Sequence, residues 1–312
     1  MSSLQFAREP VAETALVQAA QWLTEPSEFA SWVLIDAALV DTKRLFTALR
    51  LASWTAVNAL GSSPLSVFGD QAPQLILLQD ALTIQQGLKR VISIDKAAPA
   101  VSAFKSRASV AELQLVFAYL AQPRIDSDLQ VHCRFADTRV LASLLSTLSP
   151  AQMRRVAGII DAWQWFARGG HIERWSSEHA VESATETADT DQRLHLTSQQ
   201  FANMLDASEA DTIFTLLLDK TPELVPAERR GEFHARLQRQ LEVATTLAVT
   251  QHPDRLQFIV LSLTCGLVFY RNAGLLPTWM AIRDQGASLV ELMKSWSDEL
   301  WNELQHSAET AT

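Results

Sequence analysis

Cysteine is almost missing from this chain: Cys133 and Cys265 are the two in 312 residues, and neither has a second Cys or a His at metal-ligand spacing. That argues against a disulfide framework and a thiolate zinc site, and two buried thiols are expected instead. Glycine is also sparse, at 10 residues. No phosphate-cradling loop, dinucleotide fingerprint or nucleophile elbow can be traced, and an α/β enzyme that binds phosphate would need more glycine in its strand-to-helix turns. None of the seven histidines forms a two-His helical pair with a glutamate; His171 and His179 are close in sequence but flank a polar stretch. Neither a metal nor a cofactor is expected.

Basic tracts are lacking as well. The formal charge is -9, which excludes nucleic acid as the main partner, because phosphate binding relies on clustered Lys and Arg. The longest charge-free apolar run, Leu256 to Tyr270, is 15 residues between Arg255 and Arg271. A membrane span needs about 20 residues, so the run reads as a buried helix and no membrane partner is expected. Met1 to Pro10 carries no basic segment followed by an apolar stretch, so a secretory signal is not expected and the cytoplasm is the expected compartment.

What the chain does have is apolar residues, 48% of the total, enough for a large core. Its charge is divided unevenly. Residues 1–175 hold 16 Lys and Arg against 15 Asp and Glu, whereas 176–312 hold 10 against 20. The break falls in Ser176 to Arg193, where Val181 is the only large apolar residue. Such a stretch cannot bury enough surface to offset the entropy of ordering. It predicts an α/β domain over 1–175, an acidic linker over 176–193 and a helical domain over 194–312.

In the first part, short apolar runs alternate with helical patterns, which predicts an α/β lobe with a mostly parallel sheet within a mixed α+β chain. Strands are expected at Trp32–Asp36, Leu75–Leu78, Val91–Ile94 and Leu129–Phe135. Helices are expected from Asp41, over Thr83–Lys89, from Ser109 with a capping box to Glu112, over Thr138–Leu148 and over Pro150–Phe166. The second part predicts an all-α bundle: short helices at Thr197–Leu205 and Glu209–Leu218, a long one opened by Pro226, the buried Leu256–Tyr270, and an amphipathic Leu289–Leu304.

Asp36, at the end of a predicted strand, is the best lone candidate for an acid or base. No second carboxylate or histidine can be assigned to it, so capping the following helix or pairing with an arginine is the expected role. Arg134, Asp137 and Arg139 form a compact cluster in which two arginines brace one aspartate through bidentate bonds, or present an anion or partner surface. Trp22, Trp54, Trp163, Trp165, Trp175 and Trp279 sit near element ends; most are expected in the core and a few as interface anchors.

Four pieces of sequence form an ordered series: Trp32-Val33-Leu34-Ile35-Asp36-Ala37-Ala38, Leu45-Phe46, Ala72-Pro73-Gln74-Leu75, and Arg134-Phe135-Ala136-Asp137-Thr138-Arg139-Val140-Leu141. The series resembles the adaptor, or effector-chaperone, family of bacterial type VI secretion systems, whose shared domain was long known only as one of unknown function. The last piece is the most specific, with Thr138 where many members carry proline. The resemblance covers Trp32 to Phe166. It implies a cytoplasmic, non-catalytic protein whose partners are a secreted effector and the VgrG spike, with Asp36, Pro73, Arg134, Phe135, Asp137 and Arg139 as signature positions that have no catalytic role. From the residues alone, a hydrolase or transferase using Asp36 and an immunity protein that neutralises a toxin stay open beside it.

Overall fold

Trp32 to Ile35 is apolar at every position, so the strand it makes must be covered on both faces. The computed structural model describes residues 5–126, 129–178, 191 and 193–309, in two compact units, Met1–Glu209 and Ala210–Thr312. The first unit contains β1 (Ala30–Ile35), β2 (Ala56–Asn58), β3 (Gln74–Leu77), β4 (Val101–Ser106), β6 (Ala162–Phe166) and β7 (Ile172–Ser176), joined in the order β2-β3-β1-β4-β6-β7. Every neighbouring pair in this sheet is antiparallel. The expectation of a mostly parallel sheet is therefore wrong. Among the described strands, the parallel pairing is a short clip between β5 (Arg124–Ile125) and β8 (His195–Leu196).

The misreading has a physical cause. Unbroken apolar runs report burial on two faces, and strand direction leaves no mark of its own on them. Here Val33, Ile35, Ile76 and Ala103 point to one face, under α1 (Glu13–Thr24), α2 (Thr42–Leu51) and α3 (Ala81–Ile92). Trp32, Leu34, Leu75, Phe104 and Trp163 point to the other, under α4 (Val110–Ala121), α5 (Thr138–Thr147) and α6 (Pro150–Ala157). Register agrees with this division, because Val33 lies opposite both Ile76 and Ala103, and Trp32 opposite Phe104. The result is three layers, with an antiparallel sheet between two helical ones.

Several element boundaries also differ from expectation. Val91 and Ile92 finish α3, where Ile84, Leu88, Val91 and Ile92 bury a three-and-four stripe. The strand β4 was hidden by its Ser and Lys residues: Ser102 accepts from Trp163 Nε1 at 3.1 Å, and Lys105 lies 5.0 Å from the centre of the Trp22 ring. Pro150 opens a helix that stops at Ala157, and after a turn the last residues of the expected helix, Ala162–Phe166, form β6. Leu129–Phe135 is not a strand; it runs back along the end of α4, with Val131 N donating to Pro123 O and Cys133 N to Ala121 O. The expected capping box of α4, between Ser109 and Glu112, is present. Trp22, Trp54, Trp163, Trp165 and Trp279 are all buried. Most of the segment expected as a linker, residues 179–190 and 192, lies outside the described residues.

The second unit is helical, as expected. One continuous helix, α7 (Ser198–Lys220), replaces the two short ones because no Gly or Pro interrupts it. The long helix expected from Pro226 begins at Arg230, as α8 (Arg230–Thr246). The central helix α9 (His252–Thr264) buries Phe258, which meets Phe269 and Trp279 at ring distances of 5.0 and 6.1 Å. Buried Asp254 accepts from Ser288 Oγ at 2.8 Å and from Val290 N at 3.0 Å, fixing the start of the helix Leu289–Met293. The expected Leu289–Leu304 helix is broken there, because Ser297 caps a new helix that carries Asp298 and Glu299 in its first turn.

Candidate functional site

The site forms where β1 ends. Asp36 accepts from Ala38 N at 3.2 Å, starting a short helical turn at Ala37–Leu39. The backbone bonds of the 129–135 segment bring Arg134 beside it, and Arg134 Nη2 donates to both carboxylate oxygens, at 3.0 and 2.9 Å. The two partners differ in exposure: the Asp36 side chain is 4% exposed and that of Arg134 is 41%. Burial holds the Asp36 carboxyl above the usual carboxylate range, the Arg134 guanidinium opposes the shift, and the neighbouring charge of Asp137 adds to it.

One turn further on, Asp137 caps α5. Its carboxylate accepts from Arg139 N at 3.0 Å and from the Arg139 guanidinium at 3.0 Å through Nε and 2.6 Å through Nη2. The expectation that Arg134 and Arg139 brace one aspartate is thus corrected. There are two pairs, Arg134 with Asp36 and Arg139 with Asp137. Sequence separation explains the miss, because Asp36 and Arg134 are 98 positions apart and only the fold brings them together.

The N-terminal segment closes over the second pair. The Arg139 guanidinium lies 5.1 Å from the Phe6 ring centre. Arg8 is buried, with Nη1 donating to Thr138 Oγ1 at 3.4 Å and Nη2 to the carbonyls of Phe166 and Ala167 at 3.0 and 3.1 Å. Burial, reinforced by the positive charge of Arg168, lowers the Arg8 guanidinium to about 10, while Asp137 counteracts it. Nothing in the sequence pattern singled out Arg8.

Phe135, 1% exposed, stacks on Phe117 at 5.1 Å and belongs to the core. Pro73 precedes β3, and its carbonyl accepts from Ala59 N at 2.8 Å. Asp36, Pro73, Arg134 and Phe135 all line one cavity of about 220 Å³, together with Phe68 and His132, two residues that sequence reasoning did not pick out. The Phe68 ring stands 5.9 Å from that of His132. Burial and the Arg134 charge lower the His132 imidazole below its usual range. Cys133 also borders the cavity, and burial pushes its thiol up to about 12, far from a nucleophile's range.

Chemically, the arrangement can clasp the end of β1 to the start of α5, and it leaves an apolar-walled hollow beside an arginine. Both oxygens of Asp36 are occupied by Arg134, and one of them also by Ala38 N. Among the described residues, no group of three or more His, Cys, Asp or Glu is placed to hold a metal ion, and no helix is long and apolar enough to cross a membrane.

No curated protein and no solved structure matches the chain. Residues 31–155, which contain all six signature positions, match the family model described as "Domain of unknown function (DUF4123)", a family associated with type VI secretion adaptors.

Proposed function

We propose that this protein is a non-catalytic adaptor that binds a type VI secretion effector in the cytoplasm and loads it onto the VgrG spike. The observation that carries the reading is the family match over 31–155, with every signature residue inside it. The geometry agrees with a binding role. The signature charges are spent on one another and on backbone groups, and the carboxylate that could have served as an acid or base is tied to an arginine. The acidic second half of the chain supplies a surface suited to a basic partner, with association that weakens as salt rises.

The test is to mix the purified protein with the effector and VgrG encoded beside it and to follow them by size-exclusion chromatography at low salt. A complex containing the adaptor and at least the effector is expected, and recovery of free components alone overturns the reading. Gene deletion separates the rivals: loss of an adaptor blocks delivery of one effector, whereas loss of an immunity protein harms the producing cell. An Asp36→Asn variant that folds yet abolishes function without disturbing the complex would favour the enzyme reading.

A further inference from the structure

In the first unit Lys89, Arg107, Arg134 and Arg139 each face a carboxylate. The cations at a groove between α2 and α3 do not. The groove is shallow, has a volume of about 460 Å³, and is lined by Lys43, Arg44 and Arg90 together with the apolar Ala48, Leu51 and Ile94. No carboxylate lines it. Lys43, Arg44 and Arg90 make no ion pair with any described residue; Arg90 instead donates through Nη1 to the carbonyl of Leu51. Asp41 and Asp95, the acids nearest in sequence, are engaged with backbone, accepting from Arg44 N and Ala97 N at 2.9 Å each. Leu51 is 62% exposed at the end of α2, an apolar side chain beside three cations that have no ion-pair partner among the described residues.

We infer that this groove is a docking surface for an acidic, amphipathic segment of a partner protein. Charge complementarity selects the occupant: a carboxylate-bearing helix or extended segment neutralises the three cations, and its apolar side chains cover Leu51 and Ile94. Nucleic acid fits poorly. Three cations offer few phosphate contacts, the whole chain carries a charge of -9, and a phosphate backbone has no use for the exposed apolar side chain of Leu51. Only the identification of the partner as a secretion component rests on the proposed function; the groove itself does not.

Two measurements test the inference. In the first, fluorescence anisotropy follows binding of a labelled helical peptide with glutamates on one face and leucines on the other, against the same peptide with lysines replacing the glutamates. The acidic peptide is expected to bind in a salt-sensitive manner, and the Lys43→Glu/Arg44→Glu double variant to bind it at least about tenfold more weakly. Equal binding of both peptides, no binding of the acidic one, or equal binding by the double variant overturns the inference. So does tighter binding of a single-stranded oligonucleotide or of phosphatidylserine vesicles at the same groove, or a wild-type dimer in light scattering that the double variant loses. In the second, the variant replaces the wild type in the chromatography with effector and VgrG. A complex that survives the charge reversal removes the groove as the contact while leaving the adaptor reading intact; no complex even with the wild type removes the adaptor reading and leaves the peptide result to decide the groove. Unchanged circular dichroism and melting of the variant show that the reversal acts on binding and not on folding.

Discussion

The two ion pairs at the start of α5 use the same chemistry and do different work. Arg139 and Asp137 are two residues apart, and the pair sits on a helix cap, with the Asp137 side chain 3% and the Arg139 side chain 24% exposed. Arg134 and Asp36 join distant parts of the chain, and the arginine is 41% exposed. A buried carboxylate is costly wherever it sits, but the cost of losing its partner depends on whether water can take the partner's place. At Asp137 water is largely excluded, whereas beside Asp36 the arginine already stands half in solvent. The local pair should therefore be the more important one for stability, although the long-range pair is the one that ties two elements together.

That ranking can be broken experimentally, and the largest effect is expected at Asp137. Asp137→Ala removes the cap of α5 and the counter-charge that offsets the buried Arg8, leaving two arginines without it. Losses of this kind run to about 3 to 5 kcal/mol. Urea unfolding followed by circular dichroism measures it, and a loss below about 1 kcal/mol would show that Arg8 and Arg139 find other compensation.

Arg134→Ala comes next. It strands Asp36, and not Asp137 as the sequence pattern suggested. Solvent reaches the site, Ala38 N still donates to the carboxylate, and a carboxyl already displaced upward by burial can take up a proton. Allowing for solvent screening, about 1 to 2 kcal/mol is expected in the same unfolding experiment. A loss equal to that of Asp137→Ala would erase the distinction between the two pairs.

The difference between the pairs also marks what the sequence could tell. Asp137 and Arg139 are neighbours, so their pairing lay within the cluster that spacing picked out, and spacing also showed the Ser109 capping box, whereas the capping of α5 by Asp137 was not read. Asp36 with Arg134 was not legible, because their contact depends on β1 and the 129–135 segment being brought together by the sheet. The apolar run of β1 announced a strand correctly and its direction not at all, since burial on both faces produces the same run in either kind of sheet. Ser102 and Lys105 concealed β4, because a polar side chain with a buried partner looks, in sequence, like a solvated one. Lys43, Arg44 and Arg90 were invisible as a group for a related reason: α2 and α3 meet only in three dimensions, and a sequence does not show which charges lack a partner.

The smallest effect, and the one that separates the forces at Asp36, is in the response to pH. Burial raises the carboxyl from its ordinary 3.8 and Arg134 pulls it back, with burial the larger influence. The folded protein then holds that proton more tightly than the unfolded chain does. The group's contribution is fully present below about pH 3.8 and is lost as pH rises through the folded value. His132, in the same cavity, runs the other way: its imidazole is lowered from 6.5, so its contribution is present above that value and is lost as pH falls through the folded one. Asp36→Asn removes the first titration and, by taking away the Asp36 charge that raises the imidazole, lets His132 move further down, so both changes favour the variant as pH rises. Melting temperatures of the wild type and of this variant between about pH 4 and pH 7 should therefore draw apart in favour of the variant as pH rises. A constant gap would mean that Asp36 does not titrate differently on folding. A gap that moves the opposite way would mean that Arg134 outweighs burial, and the long-range pair would then be a stabilising clasp in its own right.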